Sequence, residues 1–421
     1  MLKLQHDKQT YINFCALIPV LVYPLLNFIF SFFIETSTLA FNVIYFILAI
    51  LYLLPMFILW LINSKTKKQT ITSLKYSPEL ILLMLFLFWL TLSSFFAQNT
   101  TIAFLGINDD GAMFEEGLVQ FFAYSCMFYF AYNIKEEKIG ILLLKVFSFI
   151  SIIIGILVFI DPVGSIFPAF EHTYPYSAMF VNSNHYGYFL CMAILVNVGL
   201  FLFENELWQK IIFALGSTLL IVQLLFNSSF GPAIAVCVTF LALPFSYRIF
   251  KQKWRIETFI PIIIFLFSAI FINDGLFYSD LGLTSKQIIG ITQNAQDSAS
   301  YGTGRIKLWS HALHLIIQNP LFGIGLGNFT LNNSTTRPHN EYLQYAVNGG
   351  IFCGLLYIAA ILTIYIKALK NRKSTTNLSF ILGGAIFCYL ISAFFGNTMP
   401  HVLPFFAILL GMFIRSIKKV A

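Results

Sequence analysis

Charge is what this sequence has least of. Of its 421 residues, 10% are Asp, Glu, Lys or Arg and 58% are hydrophobic, whereas a soluble domain carries about a quarter charged residues. A globule surrounded by water is thereby excluded. Cysteines are few, and Cys15, Cys126, Cys191, Cys237, Cys353 and Cys388 all fall inside or at the edges of apolar runs at spacings that fit no metal site; they read as small hydrophobes between helices. No small-residue cleavage site follows the first apolar run, so that run is expected to remain as a span. Internal repeats, low-complexity tracts and a separate soluble domain are also missing from the pattern. Ionisable residues are nearly absent within the apolar runs, although ion-coupled transporters keep them at mid-membrane.

What is there arrives in blocks of about twenty apolar residues, the length a helix needs to cross about 30 Å of hydrocarbon at 1.5 Å per residue. The expected spans are 12–33, 40–62, 79–97, 117–133, 139–160, 186–203, 211–226, 230–247, 257–272, 343–366, 378–396 and 402–414. The sequence thus predicts an all-α membrane protein of about twelve transmembrane helices, one polytopic domain over residues 1–421. Only Asn227, Ser228 and Ser229 separate the seventh span from the eighth, so a re-entrant pair is the competing reading there. With the N-terminus inside, 21 of the 25 basic residues fall on cytoplasmic connections and only Lys286, Arg305, Lys307 and Arg337 on the other side. Basic residues are retained in the cytoplasm, which places both termini there. The net charge of +7 is therefore a topology signal, and nucleic acid is not an expected partner.

One outer connection, 273–341, is long enough to carry function. Within it Thr303 is placed to cap a helix from about Gly304 to Asn319, stopped by Pro320. Lys307, His311, His314 and Gln318 share its wet face, and Ile306, Trp309, Leu313, Ile316 and Ile317 the apolar one. Such a helix lies flat on the membrane surface or on the bundle. Arg305 belongs by spacing to the apolar side, so its guanidinium faces protein, where a planar fork near a helix N-terminus suits phosphate oxygens; snorkelling toward headgroups is the bland alternative. His311 and His314 lack a third ligand, and a wet helix face explains them better than a metal. The run Gly323-Ile324-Gly325-Leu326-Gly327-Asn328 follows no strand, so it reads as a tight turn that brings backbone close to a neighbour or ligand, not as a nucleotide loop. The loop closes on Arg337-Pro338-His339-Asn340-Glu341, an imidazole between a guanidinium and a carboxylate at the membrane boundary. Asn182-Ser183-Asn184-His185 either caps the sixth span or binds sugar hydroxyls. Of the acidic stretch Asp109, Asp110, Glu115 and Glu116, the last is placed to point inward.

Gly304-Arg305 with Trp309, Asn319 to Phe329, His339 to Gln344, and Gly349-Gly350-Ile351 together resemble the signature region of the O-antigen ligase and polymerase family. Asn182 to His185 resembles the Asn-rich motif these proteins carry before a middle span. The resemblance covers about 60 residues strongly, within 180–366. It implies a membrane glycosyltransferase of the lipid-carrier, GT-C-like type in the plasma (inner) membrane, free of cofactors and metal. Such an enzyme moves a glycan from undecaprenyl diphosphate to a glycolipid, glycan or protein acceptor on the outer side. It implies Arg305 on the diphosphate leaving group and His339 on the acceptor hydroxyl; from their positions along the chain, Arg337, Asn340, Glu341, Asn182, Asn184, His185 and Glu116 are the expected substrate-binding set. Where the family often has Ser-Arg-Gly at the start of the eighth span, this chain has Ser229-Phe230-Gly231; Arg337 is the candidate to supply the missing charge. The resemblance leaves open a ligase, a polysaccharide polymerase and a protein O-oligosaccharyltransferase. Outside the enzymes, the rival is a lipid-linked glycan flippase or another twelve-span transporter.

The partition of basic residues predicts sidedness. In a cysteine-free background, single cysteines at Ser298 and Ser374 should differ, with only position 298 reacting with an impermeant reagent on intact cells. Reaction at 374 instead would invert the topology.

Overall fold

Within hydrocarbon a chain must satisfy its own backbone polar groups, so apolar segments of this length coil. The computed structural model describes residues 2–30, 47, 49–59, 77–106, 116–167, 175–180, 182–282, 304–332 and 336–417. In chain order its helices are α1 (Leu2–Phe30), α2 (Ala49–Leu59), α3 (Pro78–Phe95), α4 (Thr100–Leu105), α5 (Leu118–Tyr132), α6 (Glu137–Ile160) and α7 (Ser183–Phe203). There follow α8 (Leu207–Phe226), α9 (Phe230–Lys251), α10 (Ile260–Phe271), α11 (Arg305–Gln318), α12 (Glu341–Lys370), α13 (Asn377–Ser392) and α14 (Leu403–Ser416). The described residues contain no strand. Among them eight helical stretches are long and apolar enough to cross a membrane, while α2, α5 and α14 are shorter apolar helices. The seventh and eighth spans are two full helices, α8 and α9, joined at Asn227–Ser229, so the re-entrant alternative falls. Much of the second span, loop residues 283–303 with the expected cap Thr303, and Asp109, Asp110 and Glu115 lie outside the described residues.

Helix α7 is the central post: 89% of its apolar window is buried, against α8, α9 and α13. Helix α14, buried from Leu403 to Ile414, packs on α5, and α12 packs on α3. The end of the bundle where α3 starts and α12 stops gathers ion pairs. Lys367 meets the fully buried Glu79, Lys145 meets Glu204 at 2.5 Å, and Arg255 meets Glu257 at 3.2 Å. The opposite end holds the site.

That end is organised by a break in α12. At Gly350 the backbone leaves the helix (φ 76°, ψ 175°), a region open in practice only to glycine. The break frees the carbonyls of Val347 and Asn348, which accept from Ile324 N and Gly325 N, each at 3.0 Å, while Ile351 N donates to Pro320 O at 2.9 Å. From α3, Trp89 Nε1 donates to Gly349 O at 2.9 Å and Ser93 Oγ to Asn348 O at 2.6 Å. The glycine run is thus the segment that fills the broken helix, the close approach to a neighbour that its composition suggested. Because the run follows α11 directly, docking it also lays α11 on the start of α12. Ala312, Leu315 and Ile316 pack there with Ile324, Phe329 and Val347. The buried arc follows Leu308, Ala312, Leu315 and Ile316, so Leu313 and Ile317, expected on the inner face, fall on its flank and are 50% and 76% exposed.

The break makes a sharp demand. A Cβ at Gly350 would stand 2.3 Å from Leu321 O, whereas one at Gly384 in α13 would meet nothing closer than Leu195 Cδ1 at 3.9 Å. Gly350→Ala should therefore lose more than about 2 kcal/mol of stability, combining backbone strain with a clash. Gly384→Ala should leave the thermal midpoint in detergent nearly unchanged. Size-exclusion profiles after graded heating read both.

Candidate functional site

Three helix starts converge at this end of the bundle, those of α7, α12 and α14, with α11 packed on the start of α12. His339 stands two residues before α12 in the left-handed region, φ 50°, a conformation that costs a non-glycine residue on the order of 1 kcal/mol or more. It is held there from outside its own segment. Its backbone N–H donates to Asn397 Oδ1 at 2.7 Å, and its ring lies between Asn397 Nδ2, 3.4 Å from Nδ1, and Thr336 Oγ1, 3.2 Å from Nε2. Arg337 Nη1 donates to Thr398 O at 2.9 Å. One short connection, from the end of α13 to the start of α14, therefore fixes both the imidazole and a guanidinium.

Arg305 opens α11, capped by Gly304 in a left-handed turn with no side-chain cap. It is half-buried and faces the protein, within electrostatic reach of Tyr188 on α7 and of His339. Among the described residues no carboxylate pairs with it. Glu116, just before α5, is buried. Tyr124 Oη donates to its Oε1 at 2.8 Å, and burial raises its carboxyl against the opposing pull of Thr398, Arg337 and Tyr124. His185 lies beside His401, ring centroids 6.0 Å apart, and within electrostatic reach of Arg337 and His339.

Arg305, Arg337, His339, His185 and Glu116 are thus brought together from four elements. Other expected binding residues are engaged locally. Asn182 caps α7, its Oδ1 accepting from Asn184 N at 2.8 Å, and Asn340 caps α12, accepting from Leu343 N at 3.0 Å. Asn184 Oδ1 accepts from Ser229 Oγ at 2.8 Å and ties α7 to the start of α9. Glu341 is sealed beneath the site, its two oxygens accepting from Tyr357 at 2.6 Å and Tyr389 at 2.7 Å. His311 meets the Asn332 carbonyl at 2.7 Å. Phe230 turns toward the segment that follows α10, its ring centroid 6.0 Å from that of Phe277, beside a pocket lined by Leu224, Ser229, Ile272, Leu276 and Asp280.

Sequence reasoning missed Asn397, Thr398 and His401. The signal was present, since Gly396-Asn397-Thr398-Met399-Pro400-His401 is a polar interruption between two apolar runs, on the same side by topological parity as Arg337. A connection this short between two spans reads in sequence as a simple turn.

In sequence, residues 215–358, from α8 through the break in α12, match the family described as O-antigen ligase. This O-antigen ligase domain spans about a third of the chain and supports a place in the O-antigen ligase and polymerase family. No curated protein matches the chain significantly. The domain contains Arg305, Arg337, His339 and the glycine run that positions them. Glu116, His185 and the 396–402 connection complete the same site from outside the matched segment.

Electrostatics at the site favour a neutral imidazole. Burial first, then Arg305 and Arg337, push His339 down to about 4. An unfolded histidine takes its proton near 6.5, so the stability this group contributes is intact above that pH and declines as pH falls from about 6.5 to about 4. In isotope-labelled protein the His339 resonance should titrate near 4 and stay unprotonated through the neutral range. Arg305→Gln should raise that midpoint, and a wild-type midpoint at 6.5 would mean that the ring is neither buried nor faced by the guanidinium groups.

Proposed function

We propose that the chain is an O-antigen ligase-like glycosyltransferase, transferring a glycan from undecaprenyl diphosphate to an acceptor on the outer side of the plasma membrane, with both termini cytoplasmic. The observation that carries this reading is the convergence of Arg305 and Arg337 on a half-buried, neutral His339. Two guanidinium groups suit a diphosphate through paired parallel hydrogen bonds, and a neutral imidazole accepts a proton. In the reaction the acceptor oxygen bonds to the anomeric carbon as the bond from that carbon to phosphate breaks. The electron pair leaves with undecaprenyl diphosphate, against the arginines, and the acceptor's hydroxyl proton passes to His339. Arg305 does the work that a divalent cation does in many glycosyltransferases. Arg337 supplies the charge that Phe230 does not, and the half-buried His185 borders the sugar.

The two central residues are separable. Arg305→Lys keeps the charge and loses the fork, so most of the transfer should go, while Lys307→Ala on the exposed face of α11 should matter little. His339→Ala should leave donor binding nearly intact and slow transfer by about a hundredfold or more. Transfer assays with reconstituted protein of verified fold read these outcomes; near-normal transfer by both Arg305→Lys and His339→Ala would move the site elsewhere and favour a transporter. Excess chelator should leave transfer unchanged, and an activity restored by magnesium or manganese would remove Arg305 from its assigned role.

A further inference from the structure

The 396–402 connection lies outside the matched domain and touches its central histidine twice. Asn397 Oδ1 accepts from His339 N at 2.7 Å, and Asn397 Nδ2 faces His339 Nδ1 at 3.4 Å. A backbone N–H can only donate, so the carboxamide has a single allowed orientation, oxygen toward the backbone and nitrogen toward the ring. The ring nitrogen that meets the amide must then be an acceptor. In a neutral imidazole the other nitrogen, Nε2, carries the proton, and it has an acceptor at 3.2 Å in Thr336 Oγ1.

We propose that Asn397 is a positioning residue that holds His339 as the Nε2–H tautomer, leaving Nδ1, on the side of the 396–402 connection, as its basic atom. One carboxamide thus fixes the left-handed backbone, the ring orientation and the site of the proton. The contact at Nδ1 is the longest of the three, and contacts of this kind tighten or are replaced when substrate arrives. An acceptor hydroxyl that donates to Nδ1 approaches between His339 and this connection, beside His401 and His185. Its proton goes to Nδ1, giving an imidazolium that still donates to Thr336 through Nε2. The charged groups facing the ring are Arg305 from α11, Arg337 from its own segment and His185 from α7. All three are cationic or neutral, so none offers a carboxylate that would draw a proton onto Nδ1.

The assignment of Nδ1 as the catalytic base rests on the glycosyltransferase reading; the tautomer itself does not. The test is nitrogen-15 spectroscopy of histidine-labelled full-length protein, with His339 assigned by its loss in His339→Gln. Wild type should show protonated Nε2 and a shielded, hydrogen-bonded Nδ1. Because Nε2–H is also the commoner form of free imidazole, Asn397→Asp is the deciding variant. Its carboxylate keeps an acceptor for the backbone N–H but presents a second acceptor to the ring, so the proton should move to Nδ1, the His339 midpoint should rise, and kcat should fall at least tenfold with little change in donor KM. If that variant does not fold, Asn397→Ala in wild-type detergent conditions should shift the Nδ1 resonance to its unbonded value. Wild type with Nδ1–H, an unchanged tautomer in Asn397→Asp, or an unmoved Nδ1 resonance in Asn397→Ala would overturn the inference. A tautomer that switches as expected in a protein whose His339→Ala variant still transfers normally would refute the catalytic role of His339 and leave the tautomer assignment standing.

Discussion

Two backbone hydrogen bonds, from Ile324 and Gly325 to the carbonyls of Val347 and Asn348, hold the functional end of this protein together. A transmembrane helix that opens in its own span exposes polar groups where no water can satisfy them, a penalty of several kcal/mol per group. The glycine run satisfies them and is fixed in return. Everything near the site follows from that exchange. Docking the run lays α11 across the start of α12, which turns Arg305 inward, and the same helix start presents Arg337 and His339 to the 396–402 connection.

The site is electrostatically one-sided. Arginines from α11 and from the segment before α12 face the imidazole, while the carboxylates nearby are withdrawn: Glu341 is sealed by Tyr357 and Tyr389, and Glu116 is buried against Tyr124. A half-buried cationic surface with its acids covered prefers an anionic ligand and keeps histidine neutral. The tyrosine cage gives both oxygens of Glu341 hydrogen-bond donors at the start of α12, where a buried carboxyl without partners would be costly.

Where the family often has an arginine at the start of the eighth span, Phe230 packs against Phe277. The guanidinium groups that act on His339 are those of Arg305 and Arg337.

The sequence by itself determined the apolar helices, the inward turn of Arg305 and the boundary placement of His339. These are local matters of length and helical period, which the order of residues carries directly. It also left two readings open for Asn182, where helix cap and sugar ligand use the same carboxamide; only the bond from Asn184 N decided for the cap. Tertiary structure alone decided that the glycine run fills a break at Gly350, that Glu341 is withdrawn, and that Asn397, 58 residues beyond His339, holds its backbone and ring. Those pairings join segments far apart in the chain, and no periodicity links them. They exist because freed backbone groups and buried side chains must find partners in space, and the partner is whichever polar atom the packing brings there.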